Sequence, residues 1–234
     1  MKIEGSVALV TGANRGLGRC FAAALLDRGA ATVYAAARRP ETVDLPGVVP
    51  LALDITDPVS VRAAAERARD VNLLINNAGV STGSSALAGT LDDIRLEMET
   101  HYFGTLAMAR EFAPVLGRNG GGAILNVLSV LSWFTAPRVA AYSAAKAAAL
   151  QLTNSLRLEL KEQGTLVTAL HVGYMDTDMA AHADGPKADP AEVAAQALRG
   201  IEQGSFEVVA DDTSRYVRAK LSGGVTDLYP QLVS

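Results

Sequence analysis

The sequence predicts a doubly wound α/β fold: one parallel sheet covered by helices on both faces, three α/β/α layers in a single domain over residues 1–234. Three observations carry this. Short runs rich in valine, leucine and isoleucine recur, and alanine-rich or amphipathic segments separate them, as strands and crossover helices would. The apolar runs lack strict alternation, which fits strands buried on both faces. The chain is 49% hydrophobic and 20% charged over 234 residues, enough to bury one full core.

In order, the expected strands are SVALVT from Ser6, ATVYAAA from Ala31, VVPLAL from Val48, NLLIN from Asn72, GAILNVLS from Gly122, LVTALHV from Leu166 and FEVV from Phe206. Helices are expected between them: Gly16 to Arg28, Val59 to Arg69, Leu91 to Leu116 with a break, Tyr142 to Gln163, and Pro190 to Gln203. Alanine is the strongest helix former, so AAYSAAKAAAL at Ala140–Leu150 extends the fourth of these toward its start. No second domain, linker or repeat is visible. The segment at about 176–190 has loop chemistry between a strand and a helix, and such loops border the ligand crevice of an open α/β sheet. It is a candidate substrate lid.

Composition excludes several classes. Lys plus Arg is 21 against 25 for Asp plus Glu, net charge −4, with no block of like charge to follow a phosphate backbone, so nucleic acid is not an expected partner. Cys20 is the only cysteine, which rules out an intramolecular disulfide and a thiolate zinc site. The opening MKIEGSVALVTG has too short an apolar run for a signal peptide, and no stretch reaches the roughly 20 apolar residues that span a bilayer. A cytoplasmic, soluble protein in a reducing compartment is expected, with no membrane partner.

Two patterns carry chemistry. VALVTGANRGLG puts Thr11, Gly12, Gly16 and Gly18 after a strand and at the opening of a helix, where backbone amides and the helix dipole favour a pyrophosphate. By itself the turn also reads as a tight ligand-free connection. Tyr142 and Lys146 stand four residues apart and share one helix face. A tyrosine has a pKa of about 10, and a neighbouring ammonium lowers it by stabilising the phenolate, so the pair can exchange a proton with an alcohol or a carbonyl oxygen.

The glycine spacing resembles the short-chain dehydrogenase/reductase family, in its single-domain branch. Further landmarks in the family's order are Asp54 of LDITD after the third strand, NNAG at Asn76–Gly79 after the fourth, and the tyrosine–lysine pair. The resemblance runs from Thr11 to Thr177 and implies a Rossmann fold binding a nicotinamide cofactor. It implies cofactor contacts from Gly12, Asn14, Arg15, Gly16, Leu17 and Gly18 in the turn. Asp54 would hold the adenine amino group, with Ile55 next to it, and Asn77, Ala78 and Gly79 would lie beside the cofactor. Tyr142 becomes the general acid in carbonyl reduction and the base in alcohol oxidation, and Lys146 hydrogen-bonds the nicotinamide ribose. Alignment with the family selects Ser129, thirteen residues before Tyr142, as the donor to the substrate oxygen. Leu128 replaces a second serine found in many members; Ser132 is turn or pocket-wall chemistry, or a substitute for it.

Charge selects the cofactor. An acid after the second strand would hold a free ribose 2′-hydroxyl, whereas a 2′-phosphate needs a cation. The strand ends in Arg38 and Arg39, and Arg15 in the turn can close on the same phosphate, so NADP(H) is expected.

Two departures from the family stand out. His101 of ETHYFG occupies the position of an asparagine that kinks its helix and holds a proton-relaying water. A histidine there can support the relay, slow it, or mark an engineered or silenced site. In HVGYMDTDM, Val172 replaces a proline while Gly173 is kept, and the Met175 backbone and Thr177 hydroxyl would meet the nicotinamide carboxamide. His171 reads as the end of a buried strand and His182 as solvated; no metal is expected. Leu131, Trp133, Phe134, Val80 and Tyr174–Met179 would give a hydrophobic crevice for a small or medium ketone; Trp133 and Phe134 at a subunit contact is the competing reading. The resemblance implies a homodimer or homotetramer. The resulting expectation is an NADPH-dependent carbonyl reductase, with an NADP(H)-binding regulatory or sensor protein as the alternative.

Overall fold

In the computed structural model, which describes residues 1–181 and 183–233, all seven strands form one sheet. They are β1 (Val7–Thr11), β2 (Thr32–Ala37), β3 (Val49–Ala52), β4 (Leu73–Asn76), β5 (Ala123–Val127), β6 (Leu166–His171) and β7 (Glu207–Val209). Every pairing is parallel, and the order is β3-β2-β1-β4-β5-β6-β7. The expected doubly wound sheet is therefore present. The order reverses at β1, which lies between β2 and β4, and ligand crevices of such sheets open at this switch point beyond the strand C-termini.

Burial explains the strand sequences. β4 is buried at all four positions and reads as an uninterrupted apolar run, while β3, with Pro50 and three exposed positions, sits at an edge where a missing backbone donor is tolerated. On one face Phe21 and Leu25 of α1 (Gly16–Asp27) pack with Leu198 and Ile201 of α6 (Pro190–Glu202). On the other, Val61 of α2 (Pro58–Arg67), Met108 and Phe112 of α4 (Thr105–Arg118), and Leu152 and Leu156 of α5 (Ala140–Glu159) close the second layer.

The largest differences from expectation are three. The break expected in Leu91–Leu116 is a change of pitch: α3 (Leu91–Met98) passes through a π-helical segment, Glu99–Gly104, into α4. Such segments cluster at functional sites. α5 ends before Gln163, and Gly164 at φ +77° turns the chain toward β6. Beyond β7, α7 (Asp212–Lys220) and α8 (Val225–Leu228) were not expected from the sequence. Among the described residues no helix is long and apolar enough to cross a membrane.

Candidate active site

β1 ends at Thr11 and α1 starts at Gly16, so the whole connection is four residues long. Gly12 and Gly16 adopt φ of +66° and +53°, the left-handed region where a side chain is strained. A Cβ on Gly18 would strike the Gly12 carbonyl oxygen and come within 2.5 Å of Asn77 Nδ2. Leu17 beside it is buried in the core. The turn is tied to β4: the Thr11 hydroxyl accepts the amides of Asn77 and Ala78, each at 2.9 Å, and Asn77 Nδ2 donates to the carbonyls of Thr11 (2.8 Å) and Gly12 (3.2 Å). The Asn77 side chain is thus committed to the scaffold.

α2, α3, α6 and α7 each begin with a side-chain cap, from Asp57, Thr90, Asp189 and Asp211. α1 begins without one, and its first turn holds no acid. Its leading amides and positive dipole end are therefore open to an anion. Thr177 faces this end, 3.5 Å from where a Cβ of Gly16 would lie. These features fit a dinucleotide phosphate.

The other predicted cofactor residues surround the turn. Asn14 Nδ2 donates to the Thr42 hydroxyl (3.1 Å), and Arg38 is exposed just past β2. Arg15 is held in an exposed ion pair with Asp178 (3.3 Å) rather than left open toward a phosphate. Burial pushes the Asp54 carboxyl up, but hydrogen bonds from the Thr56 hydroxyl and amide and the Arg38 charge outweigh it, holding Asp54 below the usual carboxylate range. Ile55 is buried against the Gly104 turn of the π segment. Across the crevice, Asp211 accepts the Gly173 amide (2.6 Å), and Met175 pairs with Ala188 in a parallel bridge that pins the 176–190 loop at its ends. His182 lies outside the described residues.

Ser129, Tyr142, Lys146 and His101 converge. One turn of α5 puts Tyr142 and Lys146 on the same face, with Nζ 5.6 Å from the phenol ring centroid. Ser129, just past β5, acts on the Tyr142 phenol to lower its pKa, and its side-chain oxygen accepts the Leu131 amide at 3.1 Å. The His101 ring meets the Tyr142 ring edge-on at 5.1 Å. Lys146 Nζ donates to the Val127 carbonyl at 2.7 Å. A buried polar chain fixes the height of α5 against the sheet: Asn76 Nδ2 to Asn126 Oδ1 (2.8 Å), Asn126 Nδ2 to Thr153 Oγ1 (2.9 Å), and the Thr153 hydroxyl to the Ala149 carbonyl (2.7 Å).

Residues 6–187 match the short chain dehydrogenase family. The chain belongs to this family. A short chain dehydrogenase from Burkholderia cenocepacia J2315, solved in complex with NADP, superposes with a TM-score of 0.95 over 100% of both chains at 42% identity. The 3-oxoacyl-(acyl-carrier-protein) reductase FabG of Salmonella typhimurium is 29% identical over 241 residues, 96% of this chain and 99% of its own. The dehydrogenase/reductase SDR family protein 7-like of Anopheles gambiae is 32% identical over 199 residues; the match takes in 77% of this chain and 62% of that relative.

In this short-chain dehydrogenase the electrostatics of the pair differ from the sequence expectation. The phenol of Tyr142 is pushed up, not down: burial disfavours the phenolate and outweighs the lowering effect of Ser129, and the Glu97 charge adds to the rise. Lys146 does not reverse the shift: its ammonium donates to the Val127 carbonyl, and burial lowers its own pKa to about 7, although Glu97 opposes that fall. His101 is driven well below the ordinary imidazole value by burial and by the charge of Lys146, so it is neutral at neutral pH. Its Nε2 lies 2.7 Å from the Val80 carbonyl and 3.4 Å from the Val80 amide, and the shorter contact, to an oxygen that only accepts, places the ring proton on Nε2.

Sequence reasoning missed Glu97. Its side chain is fully buried, and one carboxylate oxygen accepts both the amide and the hydroxyl of Thr82, each at 2.6 Å. Glu97 and His101, one helical turn apart, thus hold the loop after β4 at Thr82 and Val80. The available signal was an acid four residues before His101, between Leu96 and Met98. Ser132 proves to be turn chemistry, its hydroxyl accepting the Ser129 amide at 3.2 Å. Trp133 stacks on His171 at 3.8 Å, and Phe134 packs near Tyr229 of the same chain.

Proposed function

We propose that this chain is an NADPH-dependent carbonyl reductase acting on a small or medium ketone with a hydrophobic body. The observation that carries the reading is the convergence of Ser129, Tyr142 and Lys146 beside an uncapped, glycine-lined helix N-terminus. The turn from Gly12 to Gly18 would take the pyrophosphate, Arg38 and Arg15 the 2′-phosphate, Asp54 the adenine, and Lys146 the nicotinamide ribose. Gly173, Met175 and Thr177 would border the carboxamide. For Arg15 this requires exchange of its exposed partner Asp178 for phosphate, a change of low cost because such surface pairs are worth at most about 1 kcal/mol. Bound NADPH would supply the hydride.

The Ser129 hydroxyl donates to the substrate oxygen and stabilises the charge that develops on it. The Tyr142 phenol then delivers its proton to that oxygen. The upward shift of Tyr142 favours this direction, since reduction needs the protonated phenol. Lys146 below its pKa of about 7 is cationic and stabilises the phenolate left behind. The FabG relative supports a ketone substrate, and exposed Tyr174 and Met179 offer apolar groups near the crevice. Assembly as a homodimer or homotetramer belongs to the same reading, supported by the exposed apolar Leu96, Phe103 and Leu158.

The test is NADPH consumption against a panel of ketones. Turnover supports the reductase; tight NADPH binding with no turnover across the panel favours a sensor, a reading to which the neutral, loop-bound His101 lends weight. Three further outcomes are expected. Arg38→Glu should raise the KM for NADPH by about ten- to a hundredfold, the loss of charge-assisted hydrogen bonds, while leaving NADH use intact. An unchanged KM would remove Arg38 from the phosphate site. The kcat/KM for reduction should fall as pH rises through about 7, where Lys146 loses its proton. Glu97→Gln removes the charge that holds Lys146 up, so the falling limb of the pH profile should move to lower pH.

A further inference from the structure

We propose that His171 is a positioning residue of this site: its imidazole Nδ1–H holds the Ser129 carbonyl and thereby fixes the backbone that carries the Ser129 hydroxyl. The inference rests on the reading of Ser129 as the donor to substrate. His171 is the last residue of β6, its side chain has no exposure to solvent, and the chemistry above makes no use of it.

The backbone ladder shows why a side chain is needed there. β6 continues to pair past the end of β5, with the Leu128 amide on the Leu170 carbonyl (2.8 Å) and the Val130 amide on the Val172 carbonyl (3.0 Å). Between these two, the Ser129 carbonyl receives the Ser132 amide (2.9 Å) and, at 3.2 Å, His171 Nδ1. A carbonyl only accepts, so Nδ1 carries the ring proton and Nε2 is a bare lone pair. Among the described residues Nε2 has no hydrogen-bond partner; Glu207 Oε1 is 3.8 Å away, beyond hydrogen-bond range.

The surroundings favour this tautomer. Arg218 Nε takes the other Glu207 oxygen at 3.0 Å, which occupies the carboxylate that would otherwise draw the proton to Nε2. Glu207, Arg218 and Arg157 are the charged groups that act on the ring, and burial outweighs them in keeping it neutral, with a pKa lowered to about 4. Trp133 stacks on the imidazole at an interplanar angle of 16°, and Arg218 lies over the Trp133 ring. One buried imidazole therefore clamps both ends of the Ser129–Trp133 turn, the segment that aims the serine.

The test compares His171→Phe, which keeps the ring against Trp133 but loses the donor, with His171→Asn, which keeps a donor near Nδ1. His171→Phe is expected to lower kcat about tenfold, the worth of one aligned hydrogen bond, with KM for NADPH and melting temperature unchanged. His171→Asn is expected to recover most of that loss. Long-range proton–nitrogen NMR of the unaltered chain should show His171 protonated at Nδ1 and bare at Nε2. Unchanged kcat in His171→Phe, equal impairment of the two folded variants, or a proton on Nε2 would each overturn the proposal. The NMR result decides the contact even if His171→Phe does not fold. If the unaltered chain reduces no ketone, the reductase reading falls while the tautomer still reports on His171.

Discussion

Replacing Tyr142 by phenylalanine is expected to lower kcat for ketone reduction by about 10²- to 10⁴-fold, the usual contribution of a positioned general acid. The ring remains in place, edge-on to His101 and beside Lys146, so packing and NADPH affinity should be conserved. Only the hydroxyl is removed. Steady-state rates together with the NADPH dissociation constant separate the two effects. A variant that keeps even a tenth of the activity would show that another group supplies the proton, and Lys146, whose pKa is about 7, would be examined next.

Gly18→Ala is expected to have the other large effect, on binding and stability together. On helix propensity alone alanine would stabilise the first turn of α1 by about 1 kcal/mol. The added Cβ, however, meets the Gly12 carbonyl oxygen and lies 2.5 Å from Asn77 Nδ2. Backbone cannot swing aside as a flexible side chain does, and overpacking of this kind costs about 1–3 kcal/mol. The displacement falls on the turn that Thr11 and Asn77 hold against β4, so the amides facing the phosphates move with it. A melting temperature lowered by about 2–10 °C, with NADPH affinity reduced beyond detection in a thermal-shift titration, is the expected result. A variant as stable as the parent and still binding NADPH would show that the turn has slack.

The strands were legible because each is a short apolar run bounded by turn residues, and the observed limits of β1, β2 and β6 lie within one residue of the expected ones. α7 and α8 escaped notice because their sequences, DTSRYVRAK and VTDL, are polar or short and bury little; α7 buries only Ser214 and Val217. In the site, the glycine turn and the Tyr142–Lys146 pair follow from local spacing. Glu97 did not, since a single acid in a helix reads as a solvated charge until the loop carrying Thr82 is folded over it.

The sequence by itself determined the layered α/β architecture and the family, because periodicity, turn chemistry and motif spacing are local properties. Only the tertiary structure decided the electrostatics. Whether Lys146 lowers the Tyr142 phenol depends on where its ammonium finds a partner, here the Val127 carbonyl, and on how much water the fold removes from both groups. The same holds for His101, whose Val80 contact and neutral state are set by chain segments 21 residues apart. Desolvation and long-range hydrogen bonding are properties of the packed molecule, and no window of sequence contains them.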